Sequence, residues 1–111
     1  MTPIEALAAR QLDAYNAADL AGFCACYHPD VAVLEADGTE AIRGAEDFRE
    51  RYRSKFEGGG FGATVEQRLV CGDHCVDLER YWVVGPPGVE GTVLVRYSLR
   101  DGLIGLVQFL R

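Results

Sequence analysis

Only one of the 111 residues is lysine, Lys55, and only one is tryptophan, Trp82. Basic side chains are few: eleven Lys and Arg stand against seventeen Asp and Glu, and the formal net charge is −6. No basic stripe is available to neutralise phosphates, so neither nucleic acid nor an anionic membrane surface is an expected partner. No apolar run approaches the roughly 20 residues of a membrane span. The opening Met-Thr-Pro-Ile-Glu lacks a basic segment followed by an apolar one. No signal peptide is therefore expected, and the expected location is cytoplasmic. Histidine occurs twice, at His28 and His74, both near an element end or a turn. The four cysteines, Cys24, Cys26, Cys71 and Cys75, are not spaced as zinc ligands usually are. They read as buried or half-buried thiols in a reducing compartment. Neither a metal nor an organic cofactor is expected.

What the chain does have suffices for a core: 49% hydrophobic and 25% charged residues. Its length predicts a single domain spanning residues 1–111. Thr2-Pro3-Ile4-Glu5 opens a helix with a capping box and a proline at its first position. Ile4, Leu7, Ala8, Gln11, Leu12 and Tyr15 then follow the spacing of one buried face. A second, shorter helix, capped by Asp19, runs to about Tyr27 before Pro29. Val31 to Glu35 reads as a strand, and Asp37-Gly38 as a turn. Gly44 opens a third helix, with Phe48, Tyr52 and Phe56 on one side, which the three glycines at 58–60 end.

The rest of the chain reads as β: strands at about 62–71, 74–84, 91–100 and 103–110, with turns at Gly72-Asp73, 85–88 and Asp101-Gly102. Consecutive antiparallel strands twist and curl. The expected fold is therefore α+β: a cone-shaped, curved antiparallel sheet, or half-barrel, packed on three helices, with a pocket at its mouth. The last strand is apolar on both faces, which predicts cover on both sides.

Three polar residues interrupt these apolar faces: Gln11, Glu35 and Arg80. Burying a polar group without a partner is costly, so the three suggest a lined cavity rather than a solid core. Alternation places Arg80 on a face with Val76, Leu78 and Trp82, opposite Asp77, Glu79 and Tyr81. That face is taken as the inner one; a slip of one residue would reverse it.

The element order, the phrase Tyr15-Asn16-Ala17-Ala18-Asp19-Leu20, the segment His28-Pro29-Asp30-Val31, Ile42-Arg43-Gly44 and the closing Asp101-Gly102-Leu103-Ile104 together resemble the nuclear transport factor 2-like superfamily. The nearest likeness is to its SnoaL-like cyclases and ketosteroid isomerases. The resemblance implies the cone fold and a homodimer paired through the outer face of the sheet. It also implies a catalytic carboxylate at Glu35, which in the isomerases moves a proton beside a ketone. Gln11 and Val95 stand where the isomerases place their two oxyanion donors, so that part of the pattern is not kept. Tyr52 matches a pocket tyrosine.

The expected function is binding of a small hydrophobic carbonyl compound. Cofactor-independent isomerisation, cyclisation or dehydration would accompany it, with Glu35 as general base and Arg80 steadying the enolate. The expected substrate-binding residues are Gln11, Tyr15, Phe48, Tyr52, Trp82, Val95 and Tyr97. The alternative is a ligand-binding or assembly domain without chemistry.

Overall fold

The computed structural model describes residues 1–111. Helix α1 (Pro3–Asn16) starts as its sequence dictates: Thr2 accepts from the Glu5 amide, and Glu5 accepts in return from the Thr2 amide. It buries Ile4, Leu7, Ala8, Gln11 and Ala14. Helix α2 (Leu20–Cys24) is capped by Asp19, which accepts from the Gly22 amide at 3.0 Å. Helix α3 (Ala45–Gly58) buries Phe48 and Phe56. No helix is long and apolar enough to cross a membrane.

Six strands form one curved, unclosed sheet: β1 (Tyr27–Leu34), β2 (Glu40–Arg43), β3 (Phe61–Cys71), β4 (His74–Val83), β5 (Val89–Arg100) and β6 (Leu103–Leu110). Their order is β2-β1-β6-β5-β4-β3. The long strands β3 to β6 form the expected antiparallel meander. The sheet as a whole is mixed, because β1 pairs parallel with β6. That pairing gives β6 a neighbour on each edge, while Leu106, Gln108 and Leu110 remain only half-buried, so the expected cover on both faces is not complete in the single chain.

One strand escapes the sequence pattern. β2 has only four residues and a single buried side chain, Ile42. Too short to show alternation, it forms because the turn after Glu35 folds it back onto β1. The same turn ends β1 at Leu34, so Glu35 lies just outside the strand.

The core contains Ile4, Phe23, Val31, Phe48, Val95 and Ile104, each no more than 2% exposed. Its aromatic part is continuous, with Phe23 in ring contact with Tyr27, Phe48, Tyr52 and Phe56. Offset and edge contacts of this kind add to simple burial. Helices and concave sheet face do not meet everywhere, and a cavity remains between them.

Candidate functional site

The cavity holds about 340 Å³. Ligand sites span about 300–1,000 Å³, so it suits a compact molecule. The first helix contributes Gln11, Leu12 and Tyr15; α3 contributes Tyr52; the inner face of the sheet contributes Ala63, Glu79, Tyr81, Val93 and Tyr97. Trp82 completes one wall. Two glycines make room for the aromatic rings of β4. Tyr81 lies across Gly91, where an added Cβ would come within 2.6 Å of its hydroxyl, and Trp82 lies across Gly62 in the same manner.

Inner and outer faces of β4 are the reverse of the sequence expectation. Cys75, Asp77 and Glu79 are buried on the inner face, whereas Arg80 is exposed on the outer one. There its Nε donates to Glu66 on β3 at 2.8 Å. Arg80 is therefore not in the cavity. Glu35 is not there either: it is exposed beyond the end of β1, beside Ala36, Asp37 and Thr39. The expectation that these two side chains share an enclosed space is corrected. A one-residue slip reversed the faces from Val76 to Arg80, while Trp82 still lines the cavity.

The parity is set by a two-residue turn. Gly72-Asp73 pairs Cys71 with His74, and counting back from it places Arg68 opposite Asp77. Asp77 is fully buried, and Arg68 reaches it with both arms, at 2.7 Å and 2.9 Å. This fork geometry is the strong form of the ion pair. The Cys75 thiol donates to the same carboxylate at 3.4 Å; burial foremost, then Asp77, push its pKa up to about 12. It is a structural thiol, held protonated.

Glu79 has no such partner. It is 8% exposed and receives one hydrogen bond, from the Tyr97 hydroxyl at 3.0 Å. Burial pushes its pKa up to about 7; the bond from Tyr97 opposes this, and nearby Asp77 adds to it. The bond from Tyr97 ends a directional chain. Tyr27 donates to Gln11 Oε1 at 2.8 Å, Gln11 Nε2 donates to Tyr97 at 3.2 Å, and Tyr97 donates to Glu79. Each donor polarises the next toward the carboxyl. Oε1 of Glu79 has no hydrogen-bond partner in the protein and is not sealed from the cavity.

Gln11, Tyr15, Tyr52, Trp82 and Tyr97 all line the cavity. Phe48 and Val95 do not: each is core, Phe48 packed on Tyr27 with ring centroids 4.3 Å apart and Val95 paired with Asp77 across strands. Glu79 is the residue that reading the sequence missed. The Gly72-Asp73 turn sets Arg68 opposite Asp77, and alternation puts Glu79 on the same face as Asp77; which face is inner is decided by the helices packed on it.

Three tyrosine hydroxyls of the cavity wall, those of Tyr15, Tyr52 and Tyr81, make no hydrogen bond within the protein and remain free to act on a ligand. Tyr15 and Tyr52 stand on the helices that face the sheet. Burial raises both phenols, Tyr15 to about 12 and Tyr52 further, so each stays protonated and can donate.

Comparison with known proteins places this geometry. The SnoaL-like domain family matches residues 8–106, nearly the whole chain. The chain belongs to the SnoaL-like domain family. Among solved structures, a protein from Mycobacterium tuberculosis superposes with a TM-score of 0.89 at 16% identity, over 100% of this chain and 92% of that one. The Δ5-3-ketosteroid isomerase from a Mycobacterium species gives 0.87 at 17% identity, over 98% and 92% of the two chains. A computationally designed 17-OHP binder gives 0.87 at 17%, over 98% and 93%. At such identities the likeness establishes a shared fold. No curated protein matches the sequence. The SnoaL-like assignment and the cone architecture agree with the resemblance read from the sequence.

Proposed function

We propose that this SnoaL-like domain binds a compact hydrophobic carbonyl compound and that Glu79 transfers a proton on it. The carrying observation is a buried carboxyl, raised to about 7, with one oxygen open to an aromatic cavity. A general base works best when its pKa lies near the operating pH. The ionised form takes a proton alpha to the carbonyl. The Tyr52 or Tyr15 hydroxyl donates to the oxygen on which negative charge develops. Returning the proton to another carbon gives isomerisation; giving it to a β-hydroxyl, which leaves as water while the C–O bond breaks, gives dehydration; attack of the enolate on a second carbonyl, whose oxygen takes the proton from Glu79, gives cyclisation. Glu79 takes the place in this scheme that Glu35 held in the sequence reading.

Proton exchange at the alpha carbon tests this without a known product. Hydrophobic ketones, a Δ5-3-ketosteroid among them, are incubated with the protein in deuterated water, and exchange is followed by NMR. Binding is read separately from Trp82 fluorescence. The expected result is exchange that Glu79→Gln abolishes while binding persists. Equal exchange in both proteins contradicts the proposal.

A second reading is binding without chemistry. It is favoured by the mutual satisfaction of Tyr27, Gln11, Tyr97 and Glu79, which leaves that chain of groups only one carboxyl oxygen for a ligand. Persistent binding without exchange in the unaltered protein supports it.

We also propose that two copies pair through the outer face of the sheet. Leu78, Leu94 and Leu110 stand side by side there on β4, β5 and β6, and Leu94 is 41% exposed. Sedimentation of the unaltered protein against Leu94→Glu tests it: dimer and monomer respectively are expected.

A further inference from the structure

The cavity is lined by one carboxyl group and three cations. Glu79 is its only acidic residue, while Arg51, Lys55 and Arg111 also line it. In a chain of net charge −6 this concentration runs against the overall balance. Arg51 and Lys55 are one helical turn apart on α3, beside the stripe that buries Phe48 and Phe56. Arg51 lies 3.5 Å from Asp47 in an exposed pair, which is a weak interaction.

Lys55 and Arg111 have no such partner; neither takes part in any ion pair. Each rests on aromatic rings instead. The Lys55 ammonium lies 5.4 Å from the Tyr15 ring and 5.3 Å from the Phe61 ring, and the Arg111 guanidinium 5.1 Å from Phe109. Tyr15 and Phe61 are themselves stacked at 4.6 Å, so the ammonium sits over a rigid platform that leads into the cavity. Burial and then the charge of Arg111 lower the Lys55 pKa. Lys55 and Arg111 thus face one space, neither in an ion pair; Arg111 also borders the exposed Glu35 and Asp37, whereas Lys55 has no carboxylate partner, and a bound anion relieves this arrangement.

We infer that the ligand is amphiphilic: its apolar body fills the aromatic cavity, and an anionic group, a carboxylate or a sulfonate-like oxyanion, is held by Lys55 and Arg111. The inference rests on the proposed function for the cavity and adds the charge of its ligand. Glu79 and the cationic pair then divide the ligand between them. A neutral reacting centre lies against the buried carboxyl, which would repel an anion. The charged end lies against the cations. The hydrophobic carbonyl compound is thereby narrowed to an oxo acid or similar anion whose charge is remote from its reactive carbon.

Two fluorescent probes of one shape isolate the charge: 1-anilinonaphthalene-8-sulfonate and its neutral analogue N-phenyl-1-naphthylamine. Both are titrated into the full chain at low salt, together with the variants Lys55→Met and Arg53→Gln. Arg53 is an exposed cation of the same helix and does not line the cavity. The expected result is about tenfold tighter binding of the sulfonate, as for a bond to a charged group. Lys55→Met removes most of that advantage and leaves the neutral probe unchanged; Arg53→Gln alters neither. Equal affinity for the two probes, or equal losses in both variants, overturns the inference while the cavity reading stands. Failure of both probes to bind overturns the cavity reading as well.

Discussion

Asp77 and Glu79 lie two residues apart on the inner face of one strand, and both are buried. Their partners make them different groups. Asp77 meets the two-armed guanidinium of Arg68, while Glu79 meets a single neutral hydroxyl. The first carboxyl is neutralised in place and anchors the β3–β4 pairing. The second keeps its desolvation penalty, so its proton is held up to about 7. A buried carboxyl becomes chemically useful where the fold withholds a cation from it.

Breaking the Arg68–Asp77 side of this comparison has the largest expected effect. Arg68→Met leaves Asp77 buried without compensation, and such losses cost roughly 3–5 kcal/mol. Urea denaturation should show a shift of that size, or no folded protein at all. A midpoint near that of the unaltered chain contradicts the structural role of the pair.

Glu79→Gln is the complementary change. The Glu79 carboxyl holds its proton more tightly in the folded than in the unfolded chain. Its contribution to stability is therefore full at low pH and is lost as pH rises from about 4.5 to about 7. The variant should lack this fall and be more stable than the unaltered protein at pH 8, by up to roughly 3 kcal/mol for a shift of that size. Melting curves at pH 4 and pH 8 check it. The same variant should lose proton exchange.

Tyr97→Phe sharpens the contrast. It removes the only donor to Glu79 and deprives Gln11 Nε2 of one acceptor. The carboxyl should titrate higher, moving the pH profile of exchange to the alkaline side, with a loss of about 1 kcal/mol in stability. A profile that stays in place indicates that the bond does not act on the carboxyl. The smallest effects belong to the residues that the sequence had placed inside. Glu35→Gln and Arg80→Gln should leave melting temperature, binding and exchange unchanged, since both side chains are exposed.

That last pair shows where sequence reasoning stopped. The capping box of α1, the aromatic stripe of α3 and the turns between the long strands carried the element order, because each leaves a local signature. Part of the helical cavity wall was legible, at Gln11, Tyr15 and Tyr52, but Leu12, Phe23, Arg51 and Lys55 were not. β4 was not. Val76 and Leu78 are the more apolar pair of its alternation, yet they face outward, while Asp77 and Glu79 face in. A concave face that lines a cavity tolerates polar groups, and the convex face here carries Val76 and Leu78 beside the exposed Arg80–Glu66 pair. Hydrophobicity thus points the wrong way on that strand. The turn register groups Asp77 with Glu79 opposite Arg68, and the packing of the helices on that side makes it the inner face.

The most direct test of this account is a titration of the Glu79 carboxyl carbon by NMR in protein labelled at glutamate, assigned by its disappearance in Glu79→Gln. The account predicts a midpoint near pH 7. A midpoint in the ordinary range of about 4.3 would show that the cavity carboxyl is not held apart from charge or from water, and the proposed chemistry would lose its base.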